Sequence, residues 1–243
     1  MIWSLHGAVG HESDLRNFAN AMHESAPAKL DVRRLKLWQY LACCPMPLKK
    51  FATQLSADVA RMDNSPQLMG YSLGGRLALH ALLDSPDLWQ SAVIVSAHTG
   101  LSDPAARLER QKTDAEWASK ALRSEWGEFL AEWQNQSVLA GVELPDRYRL
   151  KAERNEIARS FMDWSLGAQD DLLERLGDLQ MPILWVVGDR DEKFLRVAEK
   201  ACAALPNGQL EIVADCGHRV PWEQAEIFHK LAGDFFQTTK SQT

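Results

Sequence analysis

A serine flanked by glycines opens a predicted helix in the first third of the chain. The segment reads Gly70-Tyr71-Ser72-Leu73-Gly74, a G-x-S-x-G pattern that follows a short apolar strand. Because the glycines lack side chains, strand and helix can approach closely and hold the Ser72 hydroxyl out on a sharp turn. By itself the pattern also suits a glycine-rich turn with a capping serine. In its strand-turn-helix context it predicts a reactive hydroxyl at Ser72.

A serine hydroxyl reacts only when a base removes its proton, and a histidine base needs a carboxylate to fix its tautomer. Both residue types follow later predicted strands, in the segments Gly188-Asp189-Arg190-Asp191 and Gly217-His218. Asp189 directly follows a glycine and is placed to bond the local backbone, so the interpretation favours Asp191. The chain order serine, aspartate, histidine then predicts a catalytic triad of Ser72, Asp191 and His218.

The remaining histidines are assigned by their local sequence. His98 follows a predicted strand, a position from which it could line the same pocket. Four others lie in helical or surface sequence, where a solvated imidazole is the ordinary reading: His11, His23, His80 and His229.

Charge that develops on a reacting oxygen needs backbone N–H donors aimed at it. The loop after the first predicted strand reads Leu5-His6-Gly7-Ala8-Val9-Gly10. It could be an ordinary strand-to-helix turn, but beside the serine turn it predicts an oxyanion hole. The expected donors are the N–H groups of Ala8 and Leu73.

The elements that must position these residues alternate between short apolar runs and amphipathic stretches. This alternation is typical of parallel strands joined by crossover helices and predicts an α/β fold. The predicted strands cover residues 2–5, 30–35, 67–70, 92–95, 183–187 and 210–213. Between residues 101 and 164 the sequence is charged and helical, without an evident strand. The fold class is therefore α/β, about six parallel strands flanked by helices, with a helical cap insertion.

The composition of the chain limits the classes of partner that it is expected to bind. The chain has 243 residues, with 27 Lys and Arg against 33 Asp and Glu, and so a net charge of −6. Without a dense basic run, a nucleic-acid or anionic-membrane surface is not expected, and no export signal or membrane span is visible. The four cysteines form neither a disulfide framework nor a CxxC pair, which favours reduced thiols and a cytoplasmic location. No pattern calls for a metal or an organic cofactor.

Taken together, the segments LHGAVG, GYSLGGR, GDRDEKF and CGHRVPWEQ resemble the α/β-hydrolase superfamily over nearly the whole chain. A narrower resemblance is to the 2-succinyl-6-hydroxy-2,4-cyclohexadiene-1-carboxylate synthases of menaquinone biosynthesis. It rests on the arginine four residues after Ser72, on the segment RQKTDAEWA, on a cap tryptophan and on an Arg-Asn pair. The residues that this resemblance implies for substrate binding are Tyr71, Arg76, Arg110, Trp133 and Arg154.

The resemblance implies a lyase that eliminates pyruvate from a substrate with three carboxylates. A net-negative protein would repel such an anion unless guanidinium groups were placed inside the pocket. The alternative reading of each arginine is a solvated side chain or a surface ion pair. The triad alone would also serve a carboxylesterase or a carbon–carbon bond hydrolase with Ser72 as nucleophile, and a ligand-binding module with a dead site is the non-enzymatic alternative.

The predicted domain organisation is an α/β-hydrolase core, residues 1–100 and 166–243, with a helical cap at 101–165. The superfamily's sheet usually begins with a hairpin, whereas here the first predicted strand starts at Ile2. Either two strands have been lost or the natural start lies upstream. We expect residues 2–5 to form an exposed edge, and the hypothesis follows that a partner chain covers it in a homo-oligomer.

Overall fold

The computed structural model describes residues 1–24, 29–139, 142 and 146–240, and is built around one parallel sheet. Its strands lie in the order β2-β1-β3-β4-β5-β6, which confirms the predicted six-stranded parallel sheet. The strands are β1 (Ile2–Leu5), β2 (Val32–Arg34), β3 (Gln67–Tyr71), β4 (Ser91–Val95), β5 (Ile183–Gly188) and β6 (Gly208–Val213).

Helices connect the strands and cover both faces of the sheet. Their bounds are α1 (Arg16–Glu24), α2 (Trp38–Leu41), α3 (Leu48–Ala60), α4 (Leu73–Asp84), α5 (Pro104–Arg123), α6 (Trp126–Gln134), α7 (Arg154–Asp163), α8 (Glu192–Ala204), α9 (Val220–Glu223) and α10 (Ala225–Lys240). None of the described helices is long and apolar enough to cross a membrane.

The central strands are apolar on both faces because both faces are covered. Side chains alternate across a strand, so Trp185 of β5 packs toward α3, α4 and α8, while Val186 packs toward α1 and α10. Every residue of β3, β4 and β5 is buried. This is why these strands read as continuous apolar runs rather than as alternating ones.

The first strand is not an edge strand, contrary to the expectation from sequence. Ile2 pairs with Val32 of β2 on one side and with Gln67 of β3 on the other, and all of β1 is buried. The short strand β2 occupies the edge, where its charged Arg33 and Arg34 disfavour pairing with another chain. The structural premise of the homo-oligomer hypothesis is therefore wrong, because this chain itself covers the strand.

His80 also departs from its predicted setting. It lies on α4 and is only 5% exposed, where a solvated imidazole was expected. Burial is the main cause that lowers its pKa to about 4, with the positive charge of Arg76 second. The side chains of α4 are apolar on nearly all sides of the helix, because the helix lies between the sheet and neighbouring helices.

The segment between β4 and β5 holds the helices α5, α6 and α7, and its described residues contain no strand. Asp103 caps α5 by accepting hydrogen bonds from the N–H groups of Ala105 and Ala106. Trp126 and Trp164 belong to the same apolar cluster as Trp185 of the sheet. The helical segment thus shares its apolar packing with the sheet, and the cap limits at 101–165 remain a prediction.

A buried ion pair also ties this segment to the sheet. Arg147 Nη2 donates to Asp14 Oδ2 at 2.6 Å, and both side chains are at most 5% exposed. Asp14 also accepts a hydrogen bond from the backbone N–H of His11 at 3.0 Å. The pair fixes the segment before α7 against the loop that follows β1.

Candidate active site

Ser72 occupies the sharp turn between β3 and α4. Its φ of 53° lies in the left-handed region, which is strained for a residue with a side chain. The turn requires close backbone contact, because a Cβ on Gly70 would collide with the carbonyl of Gly74 and a Cβ on Gly74 with the carbonyl of Leu5. The glycines of the G-x-S-x-G pattern therefore permit the turn that exposes the serine hydroxyl.

The structure brings the three predicted triad residues together at the carboxyl edge of the sheet. His218 Nε2 lies 3.0 Å from Ser72 Oγ, and His218 Nδ1 lies 2.6 Å from Asp191 Oδ2. Asp191 and His218 are 8% and 4% exposed. An ionised carboxylate can only accept, so His218 carries its proton on Nδ1 and its Nε2 lone pair faces the serine hydroxyl. This arrangement can withdraw the proton of Ser72.

Asp189 has a different role, as its position next to Gly188 predicts. Its carboxylate accepts hydrogen bonds from the backbone N–H groups of Cys216 at 3.0 Å and Asp215 at 3.1 Å. These bonds hold its pKa below the usual value, the bond from Cys216 being the larger cause. Asp189 thus shapes the loop before His218, while Asp191 contacts the imidazole.

The two predicted oxyanion donors lie beside Ser72. Ala8 and Leu73 both line the same cavity as the serine. Leu73 is the first residue of α4, where a backbone N–H has no partner within the helix. On the other side, the Ala8 loop is held by Trp38, whose Nε1 donates to the carbonyl of Gly10 at 2.9 Å.

The cavity above Ser72 has a volume of about 340 Å³ and combines aromatic walls with cations. Trp133, Phe161 and Trp164 come from the segment between β4 and β5, and Phe194 comes from α8. The described cationic side chains in the lining are those of Arg76, Arg110 and Lys193. A cavity of this kind suits an organic anion with an apolar frame.

Arg76 lies on the first turns of α4, facing the cavity. Its Nη2 donates to the backbone carbonyl of Trp164, and its Nη1 is buried with no hydrogen-bond partner. Burial, followed by the charge of Arg110, lowers the pKa of Arg76 to about 9, so the group stays protonated at neutral pH. A buried cation with an unpaired donor is costly unless a ligand or solvent completes its bonding.

Arg110 of α5 is oriented by a carboxylate one helical turn away. Its Nε donates to Asp114 Oδ1 at 2.8 Å, and Asp114 Oδ2 accepts from Ser165 Oγ at 2.7 Å. Asp114 is 2% exposed. The predicted Arg110 thus reaches the cavity, and sequence reasoning did not identify Asp114 as its partner.

Two predicted substrate contacts are not brought to the cavity lining. Arg154 donates through Nε and Nη2 to the carbonyl of Ala121 and through Nη2 to that of Ser124, so it caps the end of α5. Tyr71 packs behind the imidazole, with ring centroids of Tyr71 and His218 5.7 Å apart. Trp133, in contrast, lines the cavity as predicted.

Lys193 and Phe194 were missed as site residues. Both follow Asp191 at the start of α8, where the carboxyl end of β5 meets the cavity. Proximity to the predicted acid was the available signal, because residues at that sheet edge converge on one site. His98, which follows β4, also lines the cavity.

Within the described part of the chain, no group of three or more His, Cys, Asp or Glu side chains is placed to hold a metal ion.

Comparison with known proteins finds a matching family model and relatives that carry a functional name. A family model described as the alpha/beta hydrolase family matches residues 25–231. A putative 2-succinyl-6-hydroxy-2,4-cyclohexadiene-1-carboxylate synthase of Bacillus subtilis is 29% identical, over 95% of this chain and 88% of that protein. The synthase of that name from Salmonella heidelberg is 33% identical, over 68% of this chain and 66% of its own length.

Solved structures show the same architecture. MenH from S. aureus superposes with a TM-score of 0.84 at 21% identity, covering 98% of this chain and 94% of that one. The carboxylesterase CesB from Bacillus subtilis gives 0.66 at 17% identity, covering 97% and 82%. The turn at Ser72, the parallel sheet and the family match agree: this chain belongs to the alpha/beta hydrolase family.

Proposed function

We propose that this chain is a carbon–oxygen lyase of the 2-succinyl-6-hydroxy-2,4-cyclohexadiene-1-carboxylate synthase type, acting in menaquinone biosynthesis. The observation that carries the proposal is the placement of Arg76, Arg110 and Lys193 around one cavity with the Ser72 hydroxyl. Three cations suit a substrate with three carboxylates better than a neutral ester. The names of the relatives from Bacillus subtilis and Salmonella heidelberg support the same activity.

The proposed reaction begins with proton transfer from Ser72 to His218, whose charge Asp191 offsets. The serine alkoxide then removes the proton next to the succinyl ketone of the substrate, and the electrons move onto the ketone oxygen. Backbone N–H groups of Ala8 and Leu73 stabilise that enolate. As the enolate collapses, the bond between the ring carbon and the enolpyruvyl oxygen breaks, the leaving group takes up a proton as pyruvate, and the conjugated diene remains.

A hydrolase is the second candidate, because the same Ser72–His218 contact would activate the serine as a nucleophile. The likeness to the carboxylesterase CesB and the aromatic walls of the cavity favour it. An ester substrate would place its acyl group against Trp133 and Phe161, and it would need none of the cations.

Incubation with the enolpyruvyl precursor separates the two candidates. The lyase proposal expects release of pyruvate, measured with a coupled dehydrogenase, together with diene absorbance at equal molar yield. A p-nitrophenyl ester series is the matched hydrolase assay. Ester turnover without pyruvate release, from folded protein, would transfer the assignment to the hydrolase.

A further inference from the structure

Two adjacent cysteines, Cys43 and Cys44, lie in the turn between α2 and α3, and the proposed function uses neither of them. Their sulfur atoms are 3.4 Å apart, with the S–H group of Cys43 donating to the sulfur of Cys44. Both are free thiols; Cys43 is exposed and Cys44 is half-buried. A reagent in solution can therefore reach two sulfur atoms that already lie side by side.

Lys50 of α3 places a positive charge beside the pair. Its Nζ lies 3.7 Å from Cys44 Sγ and donates to the carbonyl of Pro45 at 3.3 Å. The hydrogen bond from Cys43 is the main cause that lowers the pKa of Cys44, and the charge of Lys50 acts in the same direction. The same bond raises the pKa of Cys43. Because the thiolate is the reactive form of cysteine, Cys44 is the nucleophile of the pair.

The other two cysteines have the opposite setting. Burial is the main cause that raises the pKa of Cys202 to about 11 and that of Cys216 to about 12. Cys216 is also fully buried. A thiol-directed reagent at neutral pH is therefore expected to react first at Cys44.

The backbone of the turn that carries the pair also holds a wall of the cavity. The carbonyl of Met46, two residues after Cys44, accepts a buried hydrogen bond from Trp164 Nε1 at 2.7 Å. The N–H of Met46 donates to Asp163 Oδ2 at 2.8 Å. Trp164 lines the cavity that holds Ser72. A change in the backbone beside Cys44 therefore reaches the cavity through one hydrogen bond.

We propose that Cys43 and Cys44 form a modification site that closes reversibly to a disulfide between adjacent residues, and that this closure displaces Trp164 in the cavity wall. This inference goes beyond the proposed function. It concerns two thiols outside the catalytic site and a reagent that is not the substrate.

The co-reactant is a small disulfide of the glutathione class. The Cys44 thiolate attacks one of its sulfur atoms, a mixed disulfide forms and one glutathione thiolate leaves. Cys43 then loses its proton and attacks the Cys44 sulfur, the mixed disulfide breaks, and the second glutathione thiolate leaves. The two glutathione thiolates take up the two protons that the cysteines release. Two protein thiols are thus oxidised by two electrons in total, and one glutathione disulfide is reduced to two glutathione molecules.

The spacing of adjacent residues explains both the displacement and the reversibility. Cα atoms of neighbouring residues are about 3.8 Å apart, whereas disulfides usually join Cα atoms about 4.4–6.8 Å apart. Closure therefore forces the backbone around Cys43 and Cys44 to adjust, and Met46 follows because it lies two residues away. A disulfide that departs from the usual geometry is also more easily reduced.

Incubation with glutathione disulfide, followed by alkylation and mass spectrometry of the peptide that contains both cysteines, tests the site. We expect the wild-type peptide to lose two hydrogen atoms and take up no alkyl group, and a dithiol reductant to reverse the change. Cys43→Ser should stop at a glutathione adduct on Cys44, because the second step has no nucleophile. Cys202→Ser is the control for loss of a distant thiol and should form the disulfide as the wild type does.

Three results would overturn the modification site. They are two unreacted thiols in the wild type, a glutathione adduct on the wild type that does not resolve, and a disulfide that links two chains. Modification of Cys202 ahead of Cys44 would overturn the assignment of the nucleophile.

The indole N–H resonances of isotope-labelled protein measure the effect on the cavity wall. In the oxidised wild type we expect the Trp164 resonance to shift toward that of an indole without a hydrogen bond, while the Trp185 resonance stays in place because that side chain is buried against the sheet. The double variant Cys43→Ser, Cys44→Ser, treated in the same way, should show no shift.

An unchanged Trp164 resonance in protein that carries the disulfide would overturn the link to the cavity. Neither measurement requires turnover, so a failure of the lyase proposal and a failure of this inference are distinguishable.

Discussion

Arg110 contacts Asp114 through Nε, at 2.8 Å, and not through its terminal nitrogens. This side-on contact orients the guanidinium and leaves its two Nη groups available for a ligand. Ser165 holds the other oxygen of the carboxylate, so the buried Asp114 side chain fixes the direction of the arginine. Such support reduces the entropy lost when a substrate binds.

Removal of Arg110 is expected to weaken binding of a carboxylate substrate and to spare a neutral one. A hydrogen bond to a charged group contributes about 1.5–3 kcal/mol, so Arg110→Gln should raise KM for the enolpyruvyl precursor about 10- to 150-fold. Steady-state kinetics measure this, with a p-nitrophenyl ester as neutral comparison. Arg123→Gln, on the exposed last turn of α5, is the control for loss of charge from the same helix. Equal KM changes for both substrates would contradict the role.

Asp191→Asn is expected to lower kcat with little effect on folding. The amide cannot hold His218 in the tautomer that leaves Nε2 free to accept from Ser72, and base catalysis of this kind contributes about 10²- to 10⁴-fold. Asp189→Asn provides the control, because it changes the same charge in the same loop but contacts only backbone. Its kcat should stay within a few-fold of the wild type. A larger loss in Asp189→Asn than in Asp191→Asn would reverse the assignment.

The buried pair of Asp14 and Arg147 is expected to matter for stability. Asp14→Ala leaves a buried guanidinium without its partner, which costs about 3–5 kcal/mol of unfolding free energy. Urea unfolding followed by circular dichroism gives this difference. Asp234→Ala removes one member of the exposed Lys230–Asp234 pair and should cost about 0.5 kcal/mol or less. Similar losses in both variants would mean that burial of the Asp14 pair contributes nothing.

Stability is expected to fall as the pH drops below 6.5, because buried histidines stay neutral in the folded chain. Burial lowers the pKa of His6 and His80 from 6.5 to about 4. The unfolded chain therefore binds protons that the folded chain excludes, so stability is full above 6.5 and declines toward pH 4. Carboxylates titrate mainly below this window.

Urea unfolding at about pH 7.5 and about pH 5.5 measures how much the free energy of unfolding falls over the range in which these histidines act. His80→Gln removes one of the titrating groups and should give a smaller loss over the same interval, whatever its stability at the higher pH. An identical loss in the wild type and in His80→Gln would show that His80 is accessible to protons in the folded state.

The sequence by itself determined the fold class and the set of Ser72, Asp191 and His218. Apolar runs with helical stretches between them specify a parallel sheet, because only buried strands can be apolar on both faces. The turn glycines and the chain order then place Ser72, Asp191 and His218 at one edge, since the carboxyl ends of parallel strands share that edge. These features depend on local spacing, which a sequence displays directly.

Only the tertiary structure decided which cations reach the cavity and which strand lies at the edge. Arg154 and Lys193 are both helical residues with long side chains, and their direction depends on how α7 and α8 dock. Arg154 was predicted at the site and caps α5 instead, while Lys193 reaches the cavity. Likewise β1 is covered by β2, a strand of three residues whose own pattern is weak. The way in which these elements pack depends on many contacts between residues that are distant in sequence, so no short stretch of residues specifies it.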